Sequence, residues 1–532
     1  MHSPVFRSIW LASTISNFGG MIQSVGAAWM MTSIARSADM VALVQASTAL
    51  PIVLFSLIAG AMADNFDRRR LMLGAQTFLL LVSAALAICT WFGAITPWLL
   101  LTFTFLIGCG SAFTAPAWQA SVGDMVPREH VPAAVALNSM GFNLARSVGP
   151  ALGGIVVATV GAAGAFAINA VTYLAPLTAL SRWRPPVTMQ LLPRESLTVA
   201  ISAGLRYVRM SPAIRTVLMR SAAFGFGGIA VLALLPLIAK HLIGGGPLIY
   251  GLLFGAFGVG AVVGALSNTR LRQRLSTETI VRVASVAFAL ALAGAGFSAL
   301  LPVTMASLFL AGAGWVLGLS TFNVGVQLSA PRWVVARALA MYQVCAFAGM
   351  ALGSWLWGVV AENSGVSAAL LAAAVAMMVC ALLGLVLPMV QTQQLNLDPL
   401  RTWQEPSTAV PVEARSGPVV VTIEYIIDEQ DILEFLAAMA ERRRIRRRDG
   451  ARNWTLLRDL ADPRIWVERY HTPTWLDYIR HNNRLTQHDA VVPTRLRALH
   501  RGESPPVVRR MLERQPGALP SGHTASHGVP EP

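Results

Sequence analysis

The residues best placed to do chemistry form a short charged segment near the start of the chain. It begins with Gly60, and Asp64 follows four residues later, ahead of the run 67–70, which reads Asp-Arg-Arg-Arg. A carboxylate that faces guanidinium groups forms ion pairs, and a glycine lets two helices approach closely. The alternative is an ordinary basic loop beside a membrane. The candidate charge network, with two residues that follow the fourth apolar run, is Gly60, Asp64, Asp67, Arg68, Arg69, Asp124 and Arg128.

A second charge lies inside an apolar run that is rich in glycine. Arg146 is followed by Gly149, Pro150, Gly153 and Gly154. Pro150 removes a backbone donor, and the glycines allow close helix packing. A charge inside a membrane span commonly marks a functional site. Arg146 either contacts an anionic substrate or a gating partner, or it binds backbone carbonyls beside the Gly-Pro bend, and both interpretations remain open.

Uncharged polar side chains are the candidates for lining a cavity, although some of them would only join helices. They are Asn17, Gln23, Asn138, Asn143, Asn323 and Gln343. No Asp or Glu falls in the middle of an apolar run, so a coupling proton is a candidate partner without an assigned residue. The cysteines and histidines lack metal-ligand spacing, and we expect neither a metal nor a cofactor.

Composition divides the chain into two parts. Of its 532 residues 55% are hydrophobic and 13% charged, and only eight of the 26 acidic residues precede residue 390. Because charges are costly in a bilayer, long uncharged stretches indicate membrane spans. The net charge of +15 does not indicate nucleic-acid binding, since the arginines of the first part lie in short loops between apolar runs.

A helix needs about 20 apolar residues to cross a bilayer. By this measure the sequence predicts an all-α membrane part with twelve spans, near residues 9–34, 40–63, 71–93, 98–118, 133–160, 162–180, 216–240, 248–267, 280–300, 303–323, 338–360 and 366–389. Arginines concentrate in the loops on one side, and the opposite loops hold only Arg36 and Lys240. This asymmetry predicts a multi-pass inner-membrane protein in the lipid bilayer, with both termini in the cytoplasm.

The two six-span halves match each other at one offset of 204 residues. The matched positions include Gly60 and Gly264, Gly108 and Gly312, Pro127 and Pro331, and Gly149 and Gly353. One common offset in four separate regions indicates duplication, and duplicated halves that hold a substrate site between them are typical of transporters.

The segment after the second span resembles the signature loop of the major facilitator superfamily, which latches the cytoplasmic side of the two halves in the outward-facing state. Asn65 and Asp67 stand where that loop usually has a basic residue and a glycine. The segment 149–154 resembles the Gly-Pro-x-x-Gly-Gly element of exporters. Together with residues 115–120, 124–129, 136–138 and 143–146, these motifs resemble the branch of enterobactin exporters and transmembrane secretion effectors.

This resemblance implies efflux by a secondary transporter that exports a small siderophore- or drug-like molecule through alternating access. Two alternatives remain open. One is a transporter-like receptor with a regulatory tail. The other is an exporter fused to a tail enzyme that modifies the cargo.

The tail reads as a separate α+β domain. The order βαββαβ, with a last strand near 494–499, predicts a ferredoxin-like fold, and it resembles the dimeric α+β barrels of antibiotic-biosynthesis monooxygenases. We expect no enzyme activity, because no nucleophile–base pair stands out. One uncovered sheet face favours a homodimer. The predicted domains are 1–180 and 216–390 (the halves), 181–215 (a cytoplasmic central loop), 391–417 (a linker), 418–500 (the ferredoxin-like domain) and 501–532 (a disordered tail).

Overall fold

Long apolar helices form most of the chain before residue 390. In order they are α1 (Pro4–Ile34), α2 (Ala38–Asn65), α3 (Arg68–Trp91), α4 (Pro97–Met125), α5 (Val131–Thr172), α6 (Leu174–Arg182), α7 (Leu197–Met210), α8 (Pro212–Leu237), α9 (Pro247–Arg274), α10 (Thr277–Phe297), α11 (Leu301–Ser329), α12 (Val335–Ser364) and α13 (Val366–Val386). The structure is a computed structural model that describes residues 4–35, 37–126, 131–184, 197–331, 333–389, 397, 400, 403 and 405–513. Within these residues, ten helices are long and apolar enough to cross a membrane.

Local chemistry sets where several of these helices begin. The Thr96 hydroxyl accepts a hydrogen bond from the backbone N–H of Leu99 at 3.3 Å. The Ser276 hydroxyl likewise accepts one from Thr279 at 3.1 Å. Each hydroxyl satisfies a donor that has no partner inside the helix, which is why serine and threonine favour this position.

The long helix α5 contains a single break. Gly161 has φ 75° and ψ 178°, far from helical values. A residue with a Cβ is disfavoured at this positive φ, so glycine suits the break. The break lies between residues 160 and 162, where the sequence predicted one span to end and the next to begin.

The chain divides into two units. One comprises Met1–Ile201, Ala213–Gln327 and Ala336–Gln391, and the other comprises Ser202–Pro212, Leu328–Val335 and Thr392–Pro532. The second unit is named the C-terminal domain below. It therefore includes two short segments that lie between membrane helices in the sequence.

A four-stranded antiparallel sheet forms the centre of the C-terminal domain. Its elements are β1 (Val419–Ile426), α14 (Ile432–Asp449), β2 (Arg452–Arg458), β3 (Ile465–Thr472), α15 (Trp475–Asn483), α16 (Val491–Leu499) and β4 (Val507–Leu512). The strand order is β2-β3-β1-β4. Large side chains form one buried core, which includes Tyr425, Phe435, Trp466, Tyr470 and Tyr478.

Two predictions for the tail differ from the structure. Residues 494–499 lie in helix α16, and the fourth strand is β4, which pairs with β1. The sheet therefore extends beyond the predicted boundary at residue 500, into the segment predicted to be disordered. Part of the predicted linker also packs on the domain, since Trp403 contacts Tyr478 edge-on at 6.0 Å and Glu405 accepts a hydrogen bond from the Trp475 indole at 3.0 Å.

The two inserted segments are held in the C-terminal domain by aromatic and cationic contacts. Tyr207 of α7 packs edge-on against Trp333, with ring centroids 5.4 Å apart. The Arg448 guanidinium lies 5.1 Å from the Tyr207 ring centroid, and that of Arg484 lies 4.2 Å from the Trp333 ring centroid. The Asp449 carboxylate accepts two hydrogen bonds from Arg448, at 2.8 and 3.0 Å. Guanidinium groups at this distance are attracted to aromatic faces.

Candidate transport and gating site

The charged loop between α2 and α3 is built around Asp67. Its carboxylate accepts hydrogen bonds from the backbone N–H groups of Arg69, at 2.9 Å, and Arg70, at 3.3 Å, and so caps α3. The Arg69 guanidinium donates to the carbonyls of Leu180, at 2.9 Å, and Ser181, at 2.6 Å. These carbonyls end α6, where the helix dipole favours a positive charge. Arg69 thus joins α3 to α6 inside the first half.

Other members of the predicted network are described in part or not at all. The side chains of Asp64 and Asp124, and all of Arg128, lie outside the described residues, as does the side chain of Asn143. Arg68 has an interaction partner. A Cβ placed at Gly60 would meet no described atom within 4 Å. The predicted pairing of Asp64 with the arginines therefore stays a prediction.

The corresponding segment of the second half, at the end of α9, forms a polar network with α11. Arg272 donates to the Asn268 side-chain oxygen at 3.0 Å and to the Ser320 carbonyl at 3.1 Å. Asn268 in turn donates to the Ser320 hydroxyl at 3.1 Å. Asn268 and Arg272 lie 204 residues after Asp64 and Arg68. The sequence offset thus leads to an amide–guanidinium pair that ties the end of α9 to α11.

The glycine-rich stretch of α5 packs between α1 and α9. A Cβ at Gly149 would lie 2.6 Å from a side chain of α1, and one at Gly153 would lie 3.0 Å from another. On the opposite face, a Cβ at Gly154 would lie 2.9 Å from the Cα of Gly251. Pro150 lies inside this stretch of α5. Because α9 belongs to the second half, these glycines form part of the interface between the halves.

Arg146 lies at the same interface, one turn before Gly149: a Cβ at Gly258 of α9 would lie 2.7 Å from the Arg146 carbonyl oxygen. Its guanidinium is 5.8 Å from the ring centroid of Phe257 in α9. Within the part of the chain that the structure describes, it has neither an ion pair nor a hydrogen bond. The neighbouring Ser147 hydroxyl donates to the Gly258 carbonyl at 3.2 Å. Arg146 is therefore a membrane-embedded cation beside an aromatic ring, without an acidic partner among the described residues.

The predicted cavity residues fall into two groups. Gln23 is buried, and its side-chain oxygen accepts hydrogen bonds from Ser83, at 3.1 Å, and from Asn169. The side-chain oxygen of Asn138 accepts a hydrogen bond from the Trp118 indole at 2.9 Å. These two residues join helices within the first half. The second group is half-buried and consists of Asn17, Gln343 and Asn323, the last bonded to Gln327.

The amino-acid sequence matches a known protein family. The family described as "Transmembrane secretion effector" matches residues 1–516. The chain belongs to this family. It is a multi-pass transporter of the major facilitator type.

Two similar proteins are named as a transporter and an exporter. The staphyloferrin A transporter of Staphylococcus aureus is 25% identical over 281 residues, which are 52% of this chain and 70% of the relative. The enterobactin exporter EntS of Salmonella typhimurium is 27% identical over 368 residues, 67% of this chain and 85% of the relative.

Solved structures show the same fold. The POT family transporter PepTSo gives a TM-score of 0.60 at 13% identity and covers 74% of this chain and 99% of its own. A D-xylose-proton symporter gives a TM-score of 0.58 at 14% identity, and the match covers 73% of this chain and 98% of the symporter chain.

Among the described residues of the membrane part is an ion network that the sequence analysis did not predict. Arg220 of α8 is fully buried, and its guanidinium pairs with Glu278 of α10 at 2.5 Å. Glu278 also binds Arg282 at 2.8 Å and accepts a hydrogen bond from the backbone N–H of Met389 at 2.8 Å. Arg282 donates to the Gly384 carbonyl at 2.9 Å. The signal in the sequence was Arg220 itself, a charge inside the predicted span 216–240.

Proposed function

We propose that this transporter is a secondary active exporter with twelve spans in two pseudo-symmetric halves, which moves a small anionic or amphipathic molecule out of the cytoplasm by alternating access. The observation that carries the proposal is Arg146, a cation without an acidic partner among the described residues, at the interface between the halves. A guanidinium within a membrane span and without a counter-charge is costly unless an anion or water reaches it. A negatively charged cargo supplies that anion.

Two features beyond the ten apolar helices support the proposed span count. Helix α1 has 31 residues, enough to cross a bilayer. The apolar stretch Met140–Arg182 has 43 residues, about twice the length of one span, and Gly161 interrupts it. Counting α1 and dividing this stretch at Gly161 gives twelve spans.

The direction of transport is supported by the glycine contacts of α5 and by the relatives. The segment 149–154 packs closely at the interface of the halves, as the exporter element it resembles would. One relative is named as an enterobactin exporter. With the arginine-rich loops on the cytoplasmic side, both termini lie in the cytoplasm and the protein resides in the inner membrane. A coupling proton is the proposed energy source.

The loop after α2 is the proposed cytoplasmic latch. In the second half, Asn268 and Arg272 bind each other and α11. By the offset of 204 residues, Asp64 and Arg68 occupy the same places in the first half. We therefore assign gating to Asp64 and Arg68, with Asp124 and Arg128 as further members.

The C-terminal domain is proposed to be a regulatory, ferredoxin-like module that pairs with a second copy. Its strand order, β2-β3-β1-β4, is that of a split βαβ sheet. One face of this sheet exposes apolar side chains, among them Leu457, Val507 and Met511. A second copy of the domain packed on this face would remove these side chains from water, which favours a homodimer.

The test begins with the cargo. Comparison of metabolites outside wild-type and deletion cells identifies the exported compound. Energised inverted vesicles then measure its transport. We expect Arg146→Gln to lower transport about tenfold or more, because a charged hydrogen bond is worth about 1.5–3 kcal/mol, and Arg146→Lys to retain part of it.

Arg270→Gln is the matched control, since Arg270 is an exposed arginine near the end of α9. Wild-type transport of the anionic cargo by Arg146→Gln would contradict the proposed role of Arg146. No difference in external metabolites between wild-type and deletion cells would contradict export itself.

A further inference from the structure

The helix ends opposite the signature loop carry few charges. Among the described residues of the turns α1–α2, α8–α9 and α12–α13, the Asp, Glu, Lys and Arg side chains are Asp39, Lys240 and Glu362. The Asp39 carboxylate accepts a hydrogen bond from the backbone of Met40, in its own helix. The other two reach from the second half to the first.

Lys240 binds the end of α1. Its ammonium group donates to the carbonyl oxygen of Thr32 at 2.5 Å. Thr32 lies in the last turn of α1, where carbonyl groups lack helical partners and the helix dipole is negative. Lys240 itself lies in a π-helical turn, Ile238–Leu242, that follows α8. Such turns are rare and occur frequently at functional sites.

Glu362 binds the start of α2. Its carboxylate accepts a hydrogen bond from the backbone N–H of Ala38, the first residue of that helix. Ser37 precedes α2, but its side chain makes no capping hydrogen bond. Glu362, near the end of α12, therefore caps α2 from the other half of the molecule. A carboxylate is also favoured at this helix end, where the dipole is positive.

Close packing supports the two polar contacts. A Cβ at Gly358 of α12 would lie 2.7 Å from the Cβ of Ala42 in α2. Trp29 of α1 stacks on Tyr250 of α9, with ring centroids 6.2 Å apart. Tyr250 is almost fully buried. The two halves are thus in contact at this end.

We propose that Lys240 and Glu362 form an outer latch: each holds one helix end of the α1–α2 turn against the second half, and both contacts break when the outer side opens to release cargo. The proposal rests on the proposed function, because only a protein that alternates its access must open here. The cation matches the negative end of α1, and the anion matches the positive end of α2. Exchanging either charge for an apolar side chain removes its contact without touching the cargo site at Arg146.

The test measures access from outside in the full chain. A reporter, Phe254→Cys, is placed on α9 one turn beyond Tyr250, at a side chain that is 8% exposed. Intact cells are treated with a charged, membrane-impermeant maleimide, and the parent chain without the reporter gives the background from its four native cysteines. We expect Lys240→Met and Glu362→Ala each to raise the labelling rate about tenfold or more, because losing one charged hydrogen bond shifts the equilibrium between the closed and open outer side by at least that factor.

Matched variants separate the latch from general loosening. His241→Gln changes an exposed side chain of the same π-helical turn and should leave labelling unchanged, and Lys240→Arg should stay close to the parent. If Lys240→Met fails to insert, Glu362→Ala decides the question, because it breaks the second contact independently. Unchanged labelling in Glu362→Ala and Lys240→Met would overturn the latch. Faster labelling of the two variants, together with no difference in external metabolites between wild-type and deletion cells, would support the latch and contradict export.

Discussion

Removing the Glu278 carboxylate tests how strongly the second half depends on one ion network. Glu278 is the described ion-pair partner of Arg220, which is fully buried and has no partner at Nε or Nη2. Glu278→Gln leaves that guanidinium without a counter-charge. Leaving a buried charge unpaired in this way costs about 3–5 kcal/mol. On the scale of soluble domains of about 150–250 residues, this lowers Tm by about 6–20 °C.

The measurement is thermal unfolding of the purified full chain in detergent. A double variant, Arg220→Met with Glu278→Gln, should recover most of the lost stability, because no buried charge then remains unpaired. Arg282→Gln is the control for the half-exposed partner, whose side chain is 38% exposed, and it should cost less than about 1 kcal/mol. A double variant no more stable than Glu278→Gln would refute the reasoning.

Two further predictions concern close packing and pH. Gly251→Val should lower export about tenfold, because a Cβ at this position would lie 2.8 Å from the backbone of α5. Transport into energised vesicles measures the change. Gly74→Ala is the neutral control, because a Cβ at Gly74 would meet no described atom within 4 Å. The C-terminal domain should lose stability as the pH falls below about 6.5, because burial and then the charge of Arg446 lower the pKa of His481, so that the unfolded chain binds the proton more readily. Limited proteolysis of the domain in the full chain, measured between about pH 7.5 and pH 6, reports this loss of stability. Asp449, whose pKa burial raises to about 6, opposes the loss at the lower end of this range and below it. His481→Gln should remove this dependence of the domain's stability on pH. If the dependence persists in that variant, another titratable group causes it.

The membrane part was largely predictable, because each helix that crosses a bilayer needs a long apolar run that is visible in the sequence. Even a weak prediction was close: the sequence divided two spans between residues 300 and 303, and α10 ends at Phe297 while α11 begins at Leu301. The connection between two neighbouring spans needs few residues. The length of each apolar run sets the length of its helix.

The residues that were missed depend on contacts between distant parts of the chain. Strand β4 reads VVRRML, and its first five residues are exposed, so it shows no alternation. An edge strand needs only one neighbour, and charged residues commonly protect it. The partner of Arg220 lies 58 residues away in the sequence. A charge within a span indicates that a partner exists, whereas helix packing determines which acid it is.

The composition of the C-terminal domain from three separate segments has a consequence for synthesis. Tyr207 and Trp333 leave the ribosome before the strands that follow residue 418, since chains are made and fold from the N-terminus. Until Arg448 and Arg484 emerge, these two aromatic rings lack their guanidinium partners. Assembly of the domain is therefore a late event that waits for the membrane helices between its segments. A chain released early would display two unprotected aromatic rings to quality-control proteases.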